Sequence, residues 1–305
     1  MSDFDLNEWL RGFVDGEGCF QISVRNNRPF TFRFLFKIKL HKDDRALLDY
    51  LSTRIKIGQV YPKDGENVSS SWEVAKKADL WRLIEIFDKH PLNTTKYLDY
   101  KLWREAFFMY QEMEKASVDK DKKTTIKNNI LALKEQMNDK RVSFVLPADH
   151  KINITPYWLL GFIEGVAWFY VRKQTFVLTF RLGQTITQKV VIEAIAQFLN
   201  NLIPENLPKL KNRPNFIHID TKDVYTNSKP FIYLTFSRLD YILNAFIPFL
   251  ESFTFISKKG LDYTDWKTVA FLRKDGKHLT AEGKVLIRNI CNRMNNRKCF
   301  NRSNY

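Results

Sequence analysis

The chain of 305 residues is 44% hydrophobic, so it can build one large domain or two ordinary domains, each around a buried core. Lys and Arg number 49 against 34 Asp and Glu, which gives a formal net charge of +15 and an isoelectric point near 9.6 and predicts a polyanionic partner. No apolar run reaches the roughly 18 residues of a membrane span, so the expected polyanion is nucleic acid and not a lipid surface.

The first predicted element is a helix over Trp9–Gly16, for which Asn7 can provide the N-cap. Period-two alternation follows over Phe20–Arg25 and Thr31–Lys39, with one apolar face and one cationic face. This alternation predicts an antiparallel hairpin. The remaining predicted elements of this half are a helix at Asp44–Ile55, a strand at Ser71–Ala75 and a helix that begins near Asp79.

The second half repeats this order of elements. A helix over Trp158–Gly165 is preceded by Thr155 as a capping hydroxyl and by Pro156 in its first turn. A hairpin follows over Phe169–Gln184. The remaining predicted elements are a helix at Gln188–Leu202, a strand at Phe231–Phe236 and a helix that begins near Asp240. Each half is therefore predicted to be an α+β unit of the order αββαββα.

The predicted domain organisation follows from these two halves. Residues 1–115 form an N-terminal repeat, residues 116–154 a charged connector, and residues 155–305 a C-terminal repeat with a basic tail. The connector contains the charged run Lys120–Lys123 and a helical piece at Thr124–Met137, and we interpret it as a solvated tether. The tail from Asn292 onward is either an additional phosphate contact or a frayed end.

Composition also indicates a cellular setting. The three cysteines are too few and too badly spaced for a disulfide framework or a zinc site, which fits a reducing compartment. The first ten residues have neither an apolar secretory core nor the Arg-rich character of a transit peptide. Phe, Tyr, Lys, Asn and Ile are abundant, whereas Gly and Pro number only 11 and 10, as expected from an AT-rich coding sequence. We therefore expect a mitochondrial protein encoded by the organelle genome.

The two predicted N-terminal helices share one pattern. Trp9-Leu10-Arg11-Gly12-Phe13-Val14-Asp15-Gly16 aligns in register with Trp158-Leu159-Leu160-Gly161-Phe162-Ile163-Glu164-Gly165. The glycines within each segment lie four residues apart on one helical face, where the missing side chains let two backbones approach closely. The residues predicted to make this helix packing are Gly12, Gly16, Gly161 and Gly165.

The segment Leu10–Phe20 resembles the motif of the LAGLIDADG homing endonucleases, in the variant of the single-chain organellar branch that has Glu as its metal-binding residue. Four further segments also resemble that branch, namely Leu40–Asp44, Phe87–Leu92, Asp265–Trp266 and His278–Gly283. The resemblance implies a monomer of two pseudo-symmetric repeats, in which concave antiparallel sheets form a saddle that binds nucleic acid.

The resemblance also implies a chemistry at the ends of the two motif helices. In the family these helices bring two carboxylates together, and a divalent metal between them activates water for phosphodiester hydrolysis. Glu17 is the carboxylate of the first motif, but the alignment places Val166 opposite Glu17 and Ala167 opposite Gly18. Because valine cannot bind Mg²⁺, we expect cleavage to be impaired or lost, with nicking at most, and a Mg²⁺ requirement only if activity remains.

Other positions are implied by the same resemblance. Gln184 matches a polar position near the reactive water, where the first half has Leu40. Lys96 and Lys259 match a basic residue that polarises the scissile phosphate, although each can equally be an ordinary phosphate contact. Glu17 stands at the negative end of its helix, so we expect a compensating cation nearby, which in the family is a divalent metal. Glu164 matches Asp15, for which helix capping and packing are expected.

Cationic strand residues are predicted to provide most of the contact with nucleic acid. They are Arg25, Arg33, Lys37, Lys39, Arg172, Lys173 and Arg181. The favoured function is DNA binding by a derivative of a site-specific endonuclease. The alternative is an RNA-binding derivative that acts as an intron maturase, or as a structural component of an organellar ribonucleoprotein such as the mitochondrial ribosome. The abundance of Phe does not separate these functions, because most Phe residues fall at alternating core positions.

Overall fold

The structure of the chain is a computed structural model that describes residues 4–25, 30–62, 68–205, 217–222 and 230–294. The chain divides into two compact units, Met1–Asn153 and Ile154–Tyr305. Among the described residues, no helix combines the length and the apolar character that crossing a bilayer would require. The predicted basic tail lies, beyond Met294, outside the described residues.

The first unit is built from five helices and four strands within the described residues. They are α1 (Leu6–Glu17), β1 (Gly18–Val24), β2 (Phe32–His41), α2 (Arg45–Ile55), β3 (Gln59–Pro62), β4 (Ser69–Val74), α3 (Lys77–Lys89), α4 (Lys96–Met113) and α5 (Lys120–Lys134). The strands form one antiparallel sheet in the order β1-β2-β4-β3.

The second unit repeats this architecture. Its described elements are α6 (Pro156–Val166), β5 (Ala167–Val171), β6 (Leu178–Thr185), α7 (Lys189–Asn201), β7 (His218–Lys222), β8 (Phe231–Phe236), the composite helix α8, α9 (Lys259–Lys274) and α10 (Ala281–Arg293). In α8, a π-helical turn at Ile242–Phe246 joins the α-helical segments Leu239–Tyr241 and Ile247–Glu251. The sheet order β5-β6-β8-β7 matches that of the first unit.

The predicted order of helix, hairpin, helix, hairpin and helix is confirmed in both units, and each unit adds two further helices, α4 and α5 in the first and α9 and α10 in the second. The predicted cap of the second motif helix is also confirmed, because the Thr155 hydroxyl accepts a hydrogen bond from the Trp158 N–H at 3.2 Å. The predicted cap of the first helix is wrong. Asn7 lies inside α1, and the side chain of Asp5 accepts the hydrogen bond from the Glu8 N–H at 3.0 Å.

An aromatic core stands between each sheet and its long helix. Phe20 of β1 and Trp103 of α4 have ring centroids 5.4 Å apart, and Phe169 of β5 and Trp266 of α9 repeat this contact at the same distance. Each indole N–H also donates to the carbonyl of the residue after the phenylalanine, at 3.2 Å. The alternation along the strands therefore buries the apolar face and leaves the other face outward, as predicted, with Leu35 of β2 as a buried exception on the outer face.

The charged connector is folded onto the first unit along part of its length. Helix α5 packs against α4 and buries Ile130 completely. Further on, the side-chain amide of Asn138 donates to the Phe20 carbonyl of β1 at 2.9 Å. Because β1 is an edge strand, this contact satisfies a backbone group that would otherwise stay open for pairing. The sequence pattern alone suggested a solvated tether, since most connector side chains are polar.

Candidate nucleic-acid interface and motif site

Both motif helices are buried around their whole circumference. All residues of Trp9–Asp15 in α1 and of Trp158–Glu164 in α6 are buried, whereas a surface helix would bury a single stripe. Gly12 and Gly161 lie in these buried stretches, and Gly16 and Gly165 are half-buried. The packing of one motif helix on the other through these glycines stays a prediction.

The last buried acid of each motif binds backbone N–H groups ahead of the long helix of its unit. The Asp15 carboxylate accepts from the Asn93 N–H at 2.8 Å, from the Thr94 N–H at 2.9 Å and from the Thr94 hydroxyl at 2.6 Å. The Glu164 carboxylate accepts from the Ile256 N–H at 3.1 Å and from the following N–H, of Ser257, at 2.6 Å. Both acids therefore join α1 and α6 to α4 and α9, which is the capping role expected from the alignment.

The two predicted basic site residues lie at the ends of the motif helices. The Lys96 ammonium group donates to the Val14 carbonyl at 3.2 Å and to the Gly16 carbonyl at 2.6 Å. Lys96 is half-buried, and Lys259, which is buried, donates to the Ala167 carbonyl. The last carbonyls of a helix have no partner within it and form the negative end of its dipole. Lys96 therefore brings a positive charge to this end of α1, near Glu17.

Burial sets the protonation behaviour of Lys96. The cost of desolvating the ammonium group lowers the pKa of Lys96, although the negative charges of Glu17 and Asp15 oppose this change. Two of the three ammonium hydrogens have carbonyl partners in the first unit. The contacts therefore give Lys96 a structural use that neither the catalytic nor the phosphate-binding interpretation of the sequence included.

Glu17 and Val166 occupy equivalent positions in the two units. Helix α1 ends at Glu17 and α6 ends at Val166, and in each case a strand begins at the next residue. The strand registers agree, since Gly18 pairs with Ile38 and Ala167 pairs with Leu182. Val166 is buried, and its side chain has no atom that can bind a cation. These two positions therefore offer one carboxylate in place of two.

The donor set fits poorly to a metal that needs an acid from each motif. Asp15 and Glu164 both use their carboxylates to bind backbone N–H groups. Within the described ranges, no group of three or more His, Cys, Asp or Glu side chains is arranged to hold a metal ion. The residues present fit, at most, a hydrated ion held by Glu17 alone.

The strand registers also place Gln184 in relation to the first unit. Leu40 of β2 pairs with Ser70 of β4, and Gln184 of β6 pairs with Ile232 of β8. Leu40 and Gln184 each lie two residues beyond the strand partner of Gly18 or Ala167, so they are equivalent in the two repeats. Both are half-buried. Only the second repeat therefore carries a polar side chain at this position.

The outer face of the first sheet contains an acid that the sequence interpretation missed. Arg33 lies 3.3 Å and Lys37 lies 2.9 Å from the carboxylate of Glu73, which stands opposite Lys37 on β4. Burial alone would raise the pKa of Glu73, but Lys37, Ser71 and Arg33 together hold it below its usual value. Two of the predicted nucleic-acid contacts are therefore partly neutralised within the protein. The alternation of β4 is the signal that assigns Glu73 to this face.

The other predicted contacts lie at exposed or half-exposed positions. Arg25, Lys39 and Arg172 are exposed. Lys173 is also exposed and donates to the side-chain oxygen of Asn292 at 3.1 Å. The guanidinium group of Arg181 lies 5.3 Å from the ring centroid of Tyr233 on β8.

Two exposed aromatic residues of the second sheet were also missed. Trp168 and Tyr170 on β5 are 42% and 48% exposed, on the face opposite the buried Phe169. The same alternation that identified Phe169 as a core residue assigns these two rings to the outer face. They therefore lie on the same side of the sheet as Arg181.

Comparison with known proteins identifies relatives over most of the chain. Residues 10–107 and 159–270 match the model described as LAGLIDADG endonuclease. The chain is 29% identical to the "Uncharacterized mitochondrial protein RF1" of Saccharomyces cerevisiae, over 98% of the chain and 61% of that protein. It is 29% identical to the "Probable intron-encoded endonuclease Cox1-I1b" of Schizosaccharomyces pombe, over 75% of the chain and 57% of that protein. The chain spans about three fifths of the length of these curated relatives or less.

Solved structures have the same fold. The crystal structure of the LAGLIDADG homing endonuclease I-GzeII in complex with its DNA target aligns with a TM-score of 0.80 at 22% identity, over 96% of this chain and 99% of that chain. The structure of I-SmaMI bound to uncleaved DNA target in the presence of calcium ions aligns with a TM-score of 0.75 at 25% identity, over 95% and 98% of the two chains. The α+β fold with two four-stranded antiparallel sheets is therefore that of the two-repeat LAGLIDADG structures.

Proposed function

The chain belongs to the LAGLIDADG endonuclease family, and we propose that it is a member that binds a duplex DNA site but whose double-strand cleavage is impaired or lost. Its activity is that of a nickase at most. Like its relative named as a mitochondrial protein, it acts in the mitochondrion. The duplex partner is supported by the I-SmaMI structure, which was determined with a DNA target.

The observation that carries this proposal is the replacement of an acid by Val166. Glu17 ends α1, and Val166 ends α6 at the equivalent position. A carboxylate can hold a divalent ion, which when bound would lower the pKa of the attacking water, whereas an aliphatic side chain cannot hold the ion. Each strand of a duplex needs its own hydrolytic step, so the loss of one acid removes at least one of the two cuts.

Neighbouring acids do not compensate for Val166. Glu164 is two residues away, but its two oxygens accept hydrogen bonds from the N–H groups of Ile256 and Ser257. Moving Glu164 to a metal would leave those N–H groups without this partner, at a cost of about 1–3 kcal/mol for a buried donor. A Mg²⁺ ion would therefore depend on Glu17 for its direct protein ligand. The I-SmaMI structure, determined in the presence of calcium ions, supports the use of a divalent ion but does not identify it as Mg²⁺.

The predicted contact residues supply the binding energy in this proposal. The cationic side chains at alternate strand positions neutralise phosphates, and their release of counterions makes affinity depend on salt. If about 6 to 10 phosphates are contacted, affinity falls roughly 10³- to 10⁵-fold between about 50 and 200 mM salt. Affinity that does not change with salt would contradict an electrostatic interface.

A second candidate function is an RNA-binding derivative, which acts as an intron maturase or as a structural component of a ribonucleoprotein such as the mitochondrial ribosome. The exposed rings of Trp168 and Tyr170 favour it, because proteins that bind unpaired bases often stack them on aromatic side chains. Direct competition between a duplex DNA and a structured RNA for the full chain separates the two candidates.

The proposed function is tested by selecting a duplex site and then measuring cleavage. Duplexes bound by the full chain are enriched from a randomised library, and the best site is incubated with the protein and Mg²⁺. We expect binding without double-strand cuts. Double-strand cleavage that depends on Mg²⁺ and is abolished by Glu17→Gln would contradict the proposal, whereas single-strand nicks abolished by Glu17→Gln would agree with a surviving single position.

A gain-of-function variant sharpens the same test. Val166→Glu combined with Ala167→Gly restores the acid and the glycine of the first motif, and we expect it to increase nicking or cutting of the selected site. A side chain at Gly18 would clash, because a Cβ there would lie 2.5 Å from the Val14 Cγ1 atom and 2.9 Å from the Val14 carbonyl oxygen. Val166→Gln with Ala167→Gly is the matched control, since it adds a polar side chain of similar size without the charge.

A further inference from the structure

The second sheet carries a pair of outward-facing rings that the fold itself does not require. Trp168 and Tyr170 stand two residues apart on β5, so they project from the same side of the sheet about 7 Å apart along the strand. The equivalent positions of the first sheet are Cys19 and Gln21, as the strand registers show. Both sheets bury the same aromatic core through Phe20 and Phe169, so large outer rings at these positions are specific to the second sheet.

The outer face of the second sheet has a cation, Arg181, whose equivalent in the first sheet, Lys37, forms an ion pair with an acid. Arg181 pairs in register with Trp168, just as Lys37 pairs with Cys19. In the first sheet Lys37 binds Glu73, but Thr235 occupies the position of Glu73 in the second sheet. Within the part of the chain that the structure describes, no carboxylate lies at ion-pair distance from Arg181.

The charges around the two rings are mainly positive. Arg172 follows Tyr170 by two residues and is exposed, and Lys173 is the next residue. The acid on the neighbouring strands of this face is Asp220, which pairs with Tyr233 and stands on β7, at the far edge of the sheet from β5. The rings are therefore flanked by side chains that attract phosphate.

Exposed rings beside cations match one class of partner by their chemistry. Every nucleic-acid base has a π face that can stack on an aromatic side chain, and the phosphates between successive bases bind Arg and Lys. In a duplex these π faces are covered by neighbouring base pairs, so side chains reach only the base edges in the grooves. Folded RNA, in contrast, presents unpaired bases in its loops and bulges.

We propose that Trp168 and Tyr170, with Arg172 and Arg181, form a surface that stacks two successive unpaired bases of an RNA and binds the phosphate beside them. This inference rests on the proposed function only in that the chain binds nucleic acid. It adds a second mode of recognition, through base faces, to the contacts that cationic strand residues make with a duplex. The two rings lie on β5, an edge strand of the sheet, so a single-stranded RNA can approach them from the open edge of the sheet.

The test measures binding of the full chain to a labelled RNA oligonucleotide of mixed sequence and about 12 nucleotides, within the site sizes typical of such surfaces. Trp168→Ala and Tyr170→Ala are each expected to weaken RNA binding about 10-fold, as for loss of one stacked base. Trp168→Phe and Tyr170→Phe keep a ring and are expected to retain most of the affinity. Phe271→Ala is the matched control, because Phe271 is 42% exposed in the same unit but lies on α9, away from the sheet.

Tryptophan fluorescence gives a readout that a merely structural role would not change. Five of the 7 tryptophans are completely buried, and Trp81 and Trp168 are 39% and 42% exposed. In a Trp81→Phe background, quenching on addition of the RNA therefore reports on Trp168. We expect stronger quenching by the RNA oligonucleotide, whose bases would stack on the ring, than by a duplex DNA that binds the same protein through the neighbouring cations.

Each alternative result has a definite meaning. Equal loss of duplex and RNA binding in the alanine variants would overturn the proposal, because the rings would then act in a groove. A single-stranded DNA oligonucleotide of the same length and sequence is measured in parallel, and tighter binding of this DNA than of the RNA would overturn the assignment to RNA. Unchanged RNA affinity in both alanine variants would overturn the stacking surface while leaving the proposed duplex binding intact, whereas absence of all nucleic-acid binding by the unmodified chain would overturn both.

Discussion

Lys96 of α4 holds the end of the motif helix α1 through a hydrogen bond of 2.6 Å from its ammonium group to the Gly16 carbonyl. In the second unit Lys259 of α9 donates instead to the carbonyl of Ala167, the residue directly after α6. Lys96 is half-buried and interacts electrostatically with the capping acid Asp15, and Lys259 is buried. Each motif helix is therefore fastened to the long helix of its unit by an acid and a base.

Removing the Lys96 ammonium group should reduce stability more than it reduces DNA binding. Lys96→Met removes the donor to the Gly16 carbonyl, whereas the Val14 carbonyl keeps the Gly18 N–H, and we expect the free energy of unfolding to fall by about 1–3 kcal/mol. Lys101→Met changes an exposed lysine of the same helix and should alter stability by less than about 0.5 kcal/mol. Urea unfolding and duplex affinity are measured for both. Unchanged stability with a large loss of affinity would instead identify Lys96 as a phosphate contact.

The capping acids should be sensitive even to a change of one atom. In Asp15→Asn the amide nitrogen replaces an oxygen that accepts from an N–H group, so one buried donor loses its acceptor. We expect a loss of about 1–3 kcal/mol in unfolding free energy, and a similar loss for Glu164→Gln. Asp121→Asn, at an exposed position of α5, is the control. Equal stability of Asp15→Asn and the control would show that the cap does not hold α1.

Neutralising Glu73 should strengthen DNA binding. Glu73 pairs with Arg33 and Lys37 on the outer face of the first sheet, so Glu73→Gln releases two cations and removes a negative charge that repels phosphate. We expect higher duplex affinity and a steeper dependence of log K on log salt, by about one unit of slope for each added phosphate contact. Titrations at several salt concentrations measure both. Weaker binding to the selected site alone would mean that Glu73 contacts a base.

Acid should weaken the first unit through His150. Burial lowers the pKa of His150, with partial opposition from Asp15 and Asp149, and the imidazole packs on the Tyr97 ring at 4.1 Å. Because the folded pKa lies below the unfolded value of 6.5, the unfolded chain binds the proton first as the pH falls. The contribution of the neutral His150 side chain to the free energy of unfolding is therefore fully present above the unfolded pKa and is lost as the pH falls through the lower, folded pKa.

His150→Phe checks this pH dependence, since it keeps a ring on Tyr97 but cannot be protonated. Urea unfolding at about pH 7.5 and about pH 5.5, on either side of an ordinary histidine pKa, should show a smaller difference for His150→Phe than for the unmodified chain. His218→Phe, on the exposed strand β7, serves as the control. An unchanged difference in His150→Phe would exclude His150 as the titrating group.

Much of the fold and part of the site were predictable from local patterns. Strand alternation separates Phe20 and Phe169 from the outer face, and the alignment of the two motifs alone places Val166 opposite Glu17. Apolar residues recur with a period of 2 in strands and about 3.6 in helices, so these features can be identified from neighbouring residues in the sequence. The composition likewise identified a basic protein, because net charge does not depend on folding.

Only the tertiary structure decided what the individual charged groups do. The sequence does not show that Lys96 points at the Gly16 carbonyl, about 80 residues earlier in the chain, or that Glu73 neutralises Arg33 and Lys37. Such pairings depend on which strands and helices become neighbours, and a side chain's electrostatic energy depends on its distances to partners that are remote in sequence. The charge of a residue is therefore a property of the sequence, whereas its availability to a ligand is a property of the fold.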